Sequence, residues 1–220
     1  MKTASGTVWV SGRNYRFALD PDPSNPRAWD VAVSNGTGKF LINLGNQTWY
    51  RDDNLPTVPR FGSRDATLRG QVKVKHEVEG TETVSGRSAT KHAIRVEYKL
   101  LEDFGRPGSA PARVESNIGV TLLVWTTADF PSIPMQRHIA TGLREADEAL
   151  ARIFESIEGM PLRYQLAATR AYDGGRPSTI LVTTTFENIE ESDVPASHFE
   201  VPKTFREQEP VIGFAEPNHR

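Results

Sequence analysis

Five histidines, at 76, 92, 138, 198 and 219, are the residues best suited to metal or acid–base chemistry. None stands three or four residues from another, and no H-E-x-x-H is present. A helical metal site is therefore not encoded, and one built from histidines would have to be assembled from distant positions. His76, in "QVKVKHEVEG", falls on the apolar face of an alternating strand and reads as a hydrogen-bonded core histidine. The chain has no cysteine, which removes disulfides, thiolate nucleophiles and sulfur-ligated zinc.

The carboxylates offer little more. "DPDPSN" places Asp20, Asp22 and Ser24 at the spacing of the first ligands of a calcium loop. That loop needs Gly at its sixth position and Glu at its twelfth, where Asn25 and Val31 stand, so the segment reads as a solvated Pro-rich turn. Glu145, Asp147 and Glu148 could pair for glycoside chemistry, but they fall on the wet face of a helical pattern and read as solubilising charges. Asp129, in "TADFPSIP", reads as a turn or capping residue. "NGTGK" (35–39) lacks the spacing and the hydroxyl of a phosphate loop. No G-x-S-x-G is present, and "VSGRS" does not replace it. No motif implies a cofactor or a bound metal.

What remains is an apolar and aromatic lining: Trp9, Tyr15, Phe17, Phe40, Ile42, Trp49, Tyr98, Trp125, Phe154 and Tyr164. These side chains either pack into one another or border a cavity. Trp9, Phe17, Phe40, Trp49, Tyr98, Trp125 and Phe154 are taken as the candidate ligand contacts.

The elements that must position them are mostly strands. "TVWVSGRNYRFAL" is β-branched and aromatic, broken at Gly12. "AWDVAVS" and "KFLINL" flank Asn35-Gly36, a hairpin signal because both central positions can take φ > 0. The turn "GNQ" (45–47) leads into "TWYR". "TLRGQVKVKHEVEG" (67–80) alternates, as does "HAIRVEYKL", which sets Ile94, Val96, Tyr98 and Leu100 on a dry face. A Gly/Pro-rich loop (102–113) precedes "VESNIGVTLLVWTT" (114–127), and "DGGRP" joins two further strands at 161–172 and 178–191.

One segment changes period. Met135, Ile139, Leu143, Ala146, Leu150, Ile153, Phe154 and Ile157 follow a 3.6-residue spacing, which predicts an amphipathic helix over about 143–157. Ser132 or Thr141 would cap it, and Gly159 would serve as its C′ residue. Hairpin-joined strands with one late helix predict a mainly β (α+β) protein, an antiparallel sheet of about eight to ten strands with the helix against its concave face. A single domain over 1–220 is expected, with an irregular Pro-rich tail from about 192.

The formal net charge is −2 and no basic stripe appears, so nothing points to nucleic acid or an anionic membrane. The longest apolar runs, such as "TLLVW", are far short of the roughly 20 residues of a membrane-spanning helix. "MKTASGTVWV" enters a strand pattern at once and carries no signal-peptide pattern.

The layout resembles the lipoprotein carrier and receptor half-barrels (LolA/LolB-like). "VWVSGRNYRFAL" is similar to a strand pair of that fold. "GKFLINLGNQTWYRDD" is similar to a strand–turn–strand ending in Tyr, and "GTETVSGRSATKHAIRVEY" to a hairpin of its exported relatives. "LVWTTADFP", "GMPLR" and "ENIEESDVPASHFEVP" follow in the order of those relatives. The resemblance implies a hollow that holds acyl chains, and a periplasmic or secreted location with a signal peptide ahead of residue 1. Cytoplasmic residence is the alternative.

The resulting expectation is a non-enzymatic binding protein whose hollow accepts a lipid, an acyl chain or another hydrophobic small molecule. Two alternatives stand beside it. One is an envelope assembly protein with a solid core that binds a polypeptide partner. The other is a hydrolase built from distant acids and histidines.

Overall fold

Alternation of apolar and polar residues along the chain is realised as antiparallel strands. The computed structural model describes residues 4–21, 29–51, 66–104, 112–132, 143–172 and 175–208. Five short strands come first: β1 (Gly6–Ser11), β2 (Asn14–Leu19), β3 (Val31–Asn35), β4 (Gly38–Asn43) and β5 (Thr48–Arg51). Three long ones follow: β6 (Thr67–Val84), β7 (Arg87–Phe104) and β8 (Ala112–Thr127). Helix α1 (Arg144–Phe154) precedes β9 (Met160–Tyr172) and β10 (Ser178–Thr185). A 3-10 turn (Ala196–Phe199) and the two-residue β11 (Arg206–Glu207) complete the described elements. The protein is therefore mainly β, with one α-helix among the described residues.

The strands divide between two sheets, ordered β1-β2-β3-β4-β5-β11 and β10-β9-β8-β7-β6, where one sheet was expected. The chain forms two compact units, Met1–Leu55 with Glu191–Arg220, and Pro56–Glu190.

In the first unit, Val31, Val33, Phe40 and Ile42 alternate onto one face and are buried there. Val201 and Phe205, from the returning C-terminal segment, pack on them with Trp49 and Ala18. Phe199 is buried, and β11 pairs in parallel with β5. The segment expected to be an irregular tail from about 192 is thus, through Gln208, a strap that completes this unit's core. The Asn35–Gly38 hairpin forms, but neither Gly36 nor Thr37 takes a positive φ. Instead the Asn35 side-chain oxygen accepts from the backbone N–H and the hydroxyl of Thr37.

In the second unit the β6–β7 hairpin turns through Ser85 and Gly86, both at positive φ (50° and 76°), as a two-residue turn between right-twisted strands requires. The main core lies on the face carrying Ile94, Val96, Tyr98 and Leu100 of β7 and Ile118, Val120, Leu122 and Val124 of β8. Helix α1 lays Ala146, Leu150 and Phe154 on it, the 3.6-residue seam read from the sequence. Its acidic first turn and Arg152 in its last turn complement the helix dipole.

Its ends differ from expectation. No side chain caps the N-terminus, which follows Leu143 in extended conformation. Ser132 instead accepts a hydrogen bond from the Gly159 N–H at 2.7 Å. Met135, Ile139, Thr141 and Gly142 lie outside the described residues. The helix stops at Phe154, so Gly159 is not its C′ residue; it sits at φ +89° where a Cβ would come 2.4 Å from the Thr127 carbonyl oxygen. Both ends of the loop expected over 102–113 are strand, since β7 continues through Phe104 and β8 starts at Ala112.

Candidate functional site

The seven aromatic candidates do not converge on one lining. Trp9, Phe17, Phe40 and Trp49 belong to the first unit, and Tyr98, Trp125 and Phe154 to the second. Trp9 is half-buried, with the His198 ring edge-on at 4.7 Å. Phe40 and Trp49 meet edge to face at 5.6 Å within the first core. Phe17 pairs with Ala32 and points to the face opposite Ala18.

In the second unit Tyr98 of β7 and Phe154 of α1 share the main core. Trp125 does not join them. It alternates to the other face of β8 from Val124 and packs with Val84, Ala89 and Leu162. Its indole N–H donates to Glu82 at 2.9 Å, and Lys91 and Arg163 lie over its ring at 5.3 and 5.7 Å. This hydrogen bond, with Lys91 adding, holds the Glu82 carboxyl below its ordinary range. Trp125 therefore belongs to a small second core bordered by charges, where Lys91 also bridges Glu79 and Glu82.

The apolar face beneath α1 carries a polar set at one end. The strand register aligns Tyr98 with Ile118 and Arg170, and in the next row Leu100 with Ser116 and Tyr172. Arg170 forms an ion pair with Glu102, whose side chain is only 1% exposed, and its guanidinium stacks on Tyr172 at 4.5 Å. The Ser116 hydroxyl between them is buried without a hydrogen-bond partner. Burial pushes the Tyr98 phenol up to about 12, with the Asp147 carboxylate of α1 adding and Arg170 opposing. Glu102 was assigned to a loop from the sequence, so this set went unseen.

At the other end of the same face, the structure joins two histidines that sequence spacing keeps apart. His76 Nε2 lies 3.1 Å from His92 Nδ1, with ring centroids 5.3 Å apart and planes inclined by 26°. His92 Nε2 is in turn 3.3 Å from the Thr126 hydroxyl. Burial, and then the neighbouring His76, push the His92 imidazolium below its ordinary value.

His76 is thus hydrogen-bonded, as expected. Its partner was not foreseen, because the register set by the Ser85–Gly86 turn would bring Glu79 opposite His92 and leave His76 on the other face. A bulge between Val78 and Gly80 shifts the pairing by one residue and turns His76 to the same side.

His198 sits apart in the first unit, where its carbonyl accepts from Arg16 at 3.2 Å. His138, His219, Asp22 and Ser24 lie outside the described residues. Of the helix acids, Glu145 and Glu148 are exposed, and Asp147 is half-buried beside Tyr98. Asp129 sits in a turn and pairs with Arg87 at 3.1 Å. Among the described residues no group of three or more His, Asp or Glu is placed to hold a metal, and no helix is long and apolar enough to cross a membrane.

The fold and these sites define a class, a mainly β protein with an amphipathic helix on one apolar face of a sheet. Comparison with protein-family models, curated proteins and solved structures gives no match.

Proposed function

We propose that the protein is a non-enzymatic binder of an apolar ligand, a lipid or acyl chain, held on the apolar face of β6–β10 beneath α1. The observation that carries this reading is the extent of that face relative to its helix. Eleven residues of α1 span about 16 Å. The apolar rows run from Leu68 and Leu100 to Val124 and Tyr164, and the face continues onto edge strand β10. There Val182, paired with Leu166, is 40% exposed. An apolar surface that continues into solvent beside a small cover suits a ligand better than a sealed core does.

The cover itself suits movement. A helix of this length is marginal alone, and α1 has no side-chain N-cap, so apolar contacts of Ala146, Leu150 and Phe154 hold it. Those three side chains fill the space over the sheet, and a ligand enters by displacing them. The resemblance to the lipoprotein-carrier half-barrels agrees with this reading, and a periplasmic or secreted location goes with it.

Fluorescence of an apolar dye tests the proposal. The folded protein is expected to enhance dye emission, and a long-chain fatty acid to reverse the enhancement. No enhancement by the folded protein, or an enhancement that fatty acid leaves intact, contradicts it.

A further inference from the structure

We propose that His76 and His92 form a two-imidazole site for a divalent transition ion, copper(II) or zinc(II). This is independent of the apolar-ligand reading. Two metal–nitrogen bonds of about 2.0–2.1 Å at 90–109° place the ligating nitrogens about 2.8–3.4 Å apart. His76 Nε2 and His92 Nδ1 stand 3.1 Å apart, within that span. Imidazole nitrogens suit copper and zinc among the divalent ions, and copper binds most tightly in the first-row order.

The surroundings fit a metal ligand as well as a hydrogen bond. The Thr126 hydroxyl, 3.3 Å from His92 Nε2, can accept its proton, which leaves the Nδ1 lone pair aimed at His76. His92 is 8% exposed on the inner strand β7, whereas His76 is half-buried on edge strand β6. Val78, directly opposite His92, is 61% exposed, so an ion reaches the pair from the sheet edge. The bulge after Val78 is the device that brings both rings to one face of the sheet with their nitrogens adjacent, a use to which bulges are put beside functional sites.

Binding moves the proton between the rings, by exchange with water, from His76 Nε2 to His76 Nδ1, so that each neutral imidazole offers one lone pair and no net proton is lost. Water fills the remaining coordination positions, since no third His, Asp or Glu joins the pair among the described residues. Such an ion exchanges readily and leaves room for a small ligand at the metal.

The test is calorimetric titration of the full chain with copper(II) in a non-coordinating buffer near neutral pH. A single ion per chain is expected. His76→Ala should weaken binding at least about tenfold and Thr126→Val by a similar factor, since second-shell partners of metal ligands carry about that much. His198→Ala should leave it unchanged. In the unsubstituted protein, zinc(II) should shift the imidazole nitrogen resonances of His76 and His92 together, a readout that does not depend on a variant folding. Absence of binding at excess copper(II), an affinity that His76→Ala does not alter, or zinc shifts confined to other histidines would overturn the site.

Discussion

Glu102 of β7 and Arg170 of β9 form an ion pair across β8, on the same face of the sheet as the apolar core. A buried pair is weak evidence of net stabilisation, because desolvating both charges offsets their attraction. Removing one partner is different, since it strands the other charge. Arg170→Met should therefore cost about 3–5 kcal/mol in urea unfolding, and Glu102→Met with Arg170→Met together should cost less than Arg170→Met alone. Additive losses in that double-mutant cycle would refute the pairing.

The helix seam gives a second contrast. Phe154 is buried in the main core, and its truncation to Ala should destabilise by about 3–5 kcal/mol. Arg144 and Glu148, an exposed i,i+4 pair 3.3 Å apart, should each tolerate Ala at a cost below about 0.5 kcal/mol. Thermal melts of the three variants check this, and equal losses would mean the helix is not seated as described.

Two glycines should behave oppositely. Gly159→Ala forces a side chain into positive φ and against the Thr127 carbonyl, so a loss of at least about 1–3 kcal/mol is expected. Gly119, in the middle of β8, has nothing within 4 Å of an added Cβ, and Ala there should be neutral or slightly stabilising. Urea midpoints of the pair of variants decide it.

Tyr98 sets an alkaline limit. Its phenol is held protonated in the folded state, up to about 12 against 10.0 when unfolded. The folded value is the higher one, so this stabilisation is complete below pH 10 and fades as pH rises from 10 through 12. Two units correspond to about 2–3 kcal/mol. Tyr98→Phe should flatten this part of the stability profile, leaving Tyr164, which burial also raises. A profile unchanged by that substitution would place the Tyr98 hydroxyl in water.

Much of the fold was legible because it depends on local period. Alternation located the strands, and the spacing of Ala146, Leu150 and Phe154 located the helix face. Long-range pairing was not legible. Nothing local in Arg206–Glu207 announces a parallel partner in β5, so the strap read as a tail. Gly and Pro density hid the end of β7, and with it Glu102.

The candidate site divides in the same way. Tyr98 and Phe154 share the main core as their periodicity implied, while Trp125 follows its own parity to the second, smaller core on the other face. The His76–His92 pair depends on one bulged residue, which alternation cannot reveal.

Native mass spectrometry of the folded protein after incubation with excess long-chain fatty acid tests the central claim most directly. Binding on the face beneath α1 predicts a one-to-one adduct, held by about 0.8 kcal/mol per buried methylene and weakened by polar substitution at Val182. A spectrum showing only the bare chain, under conditions that preserve a known lipid binder's adduct, would contradict it.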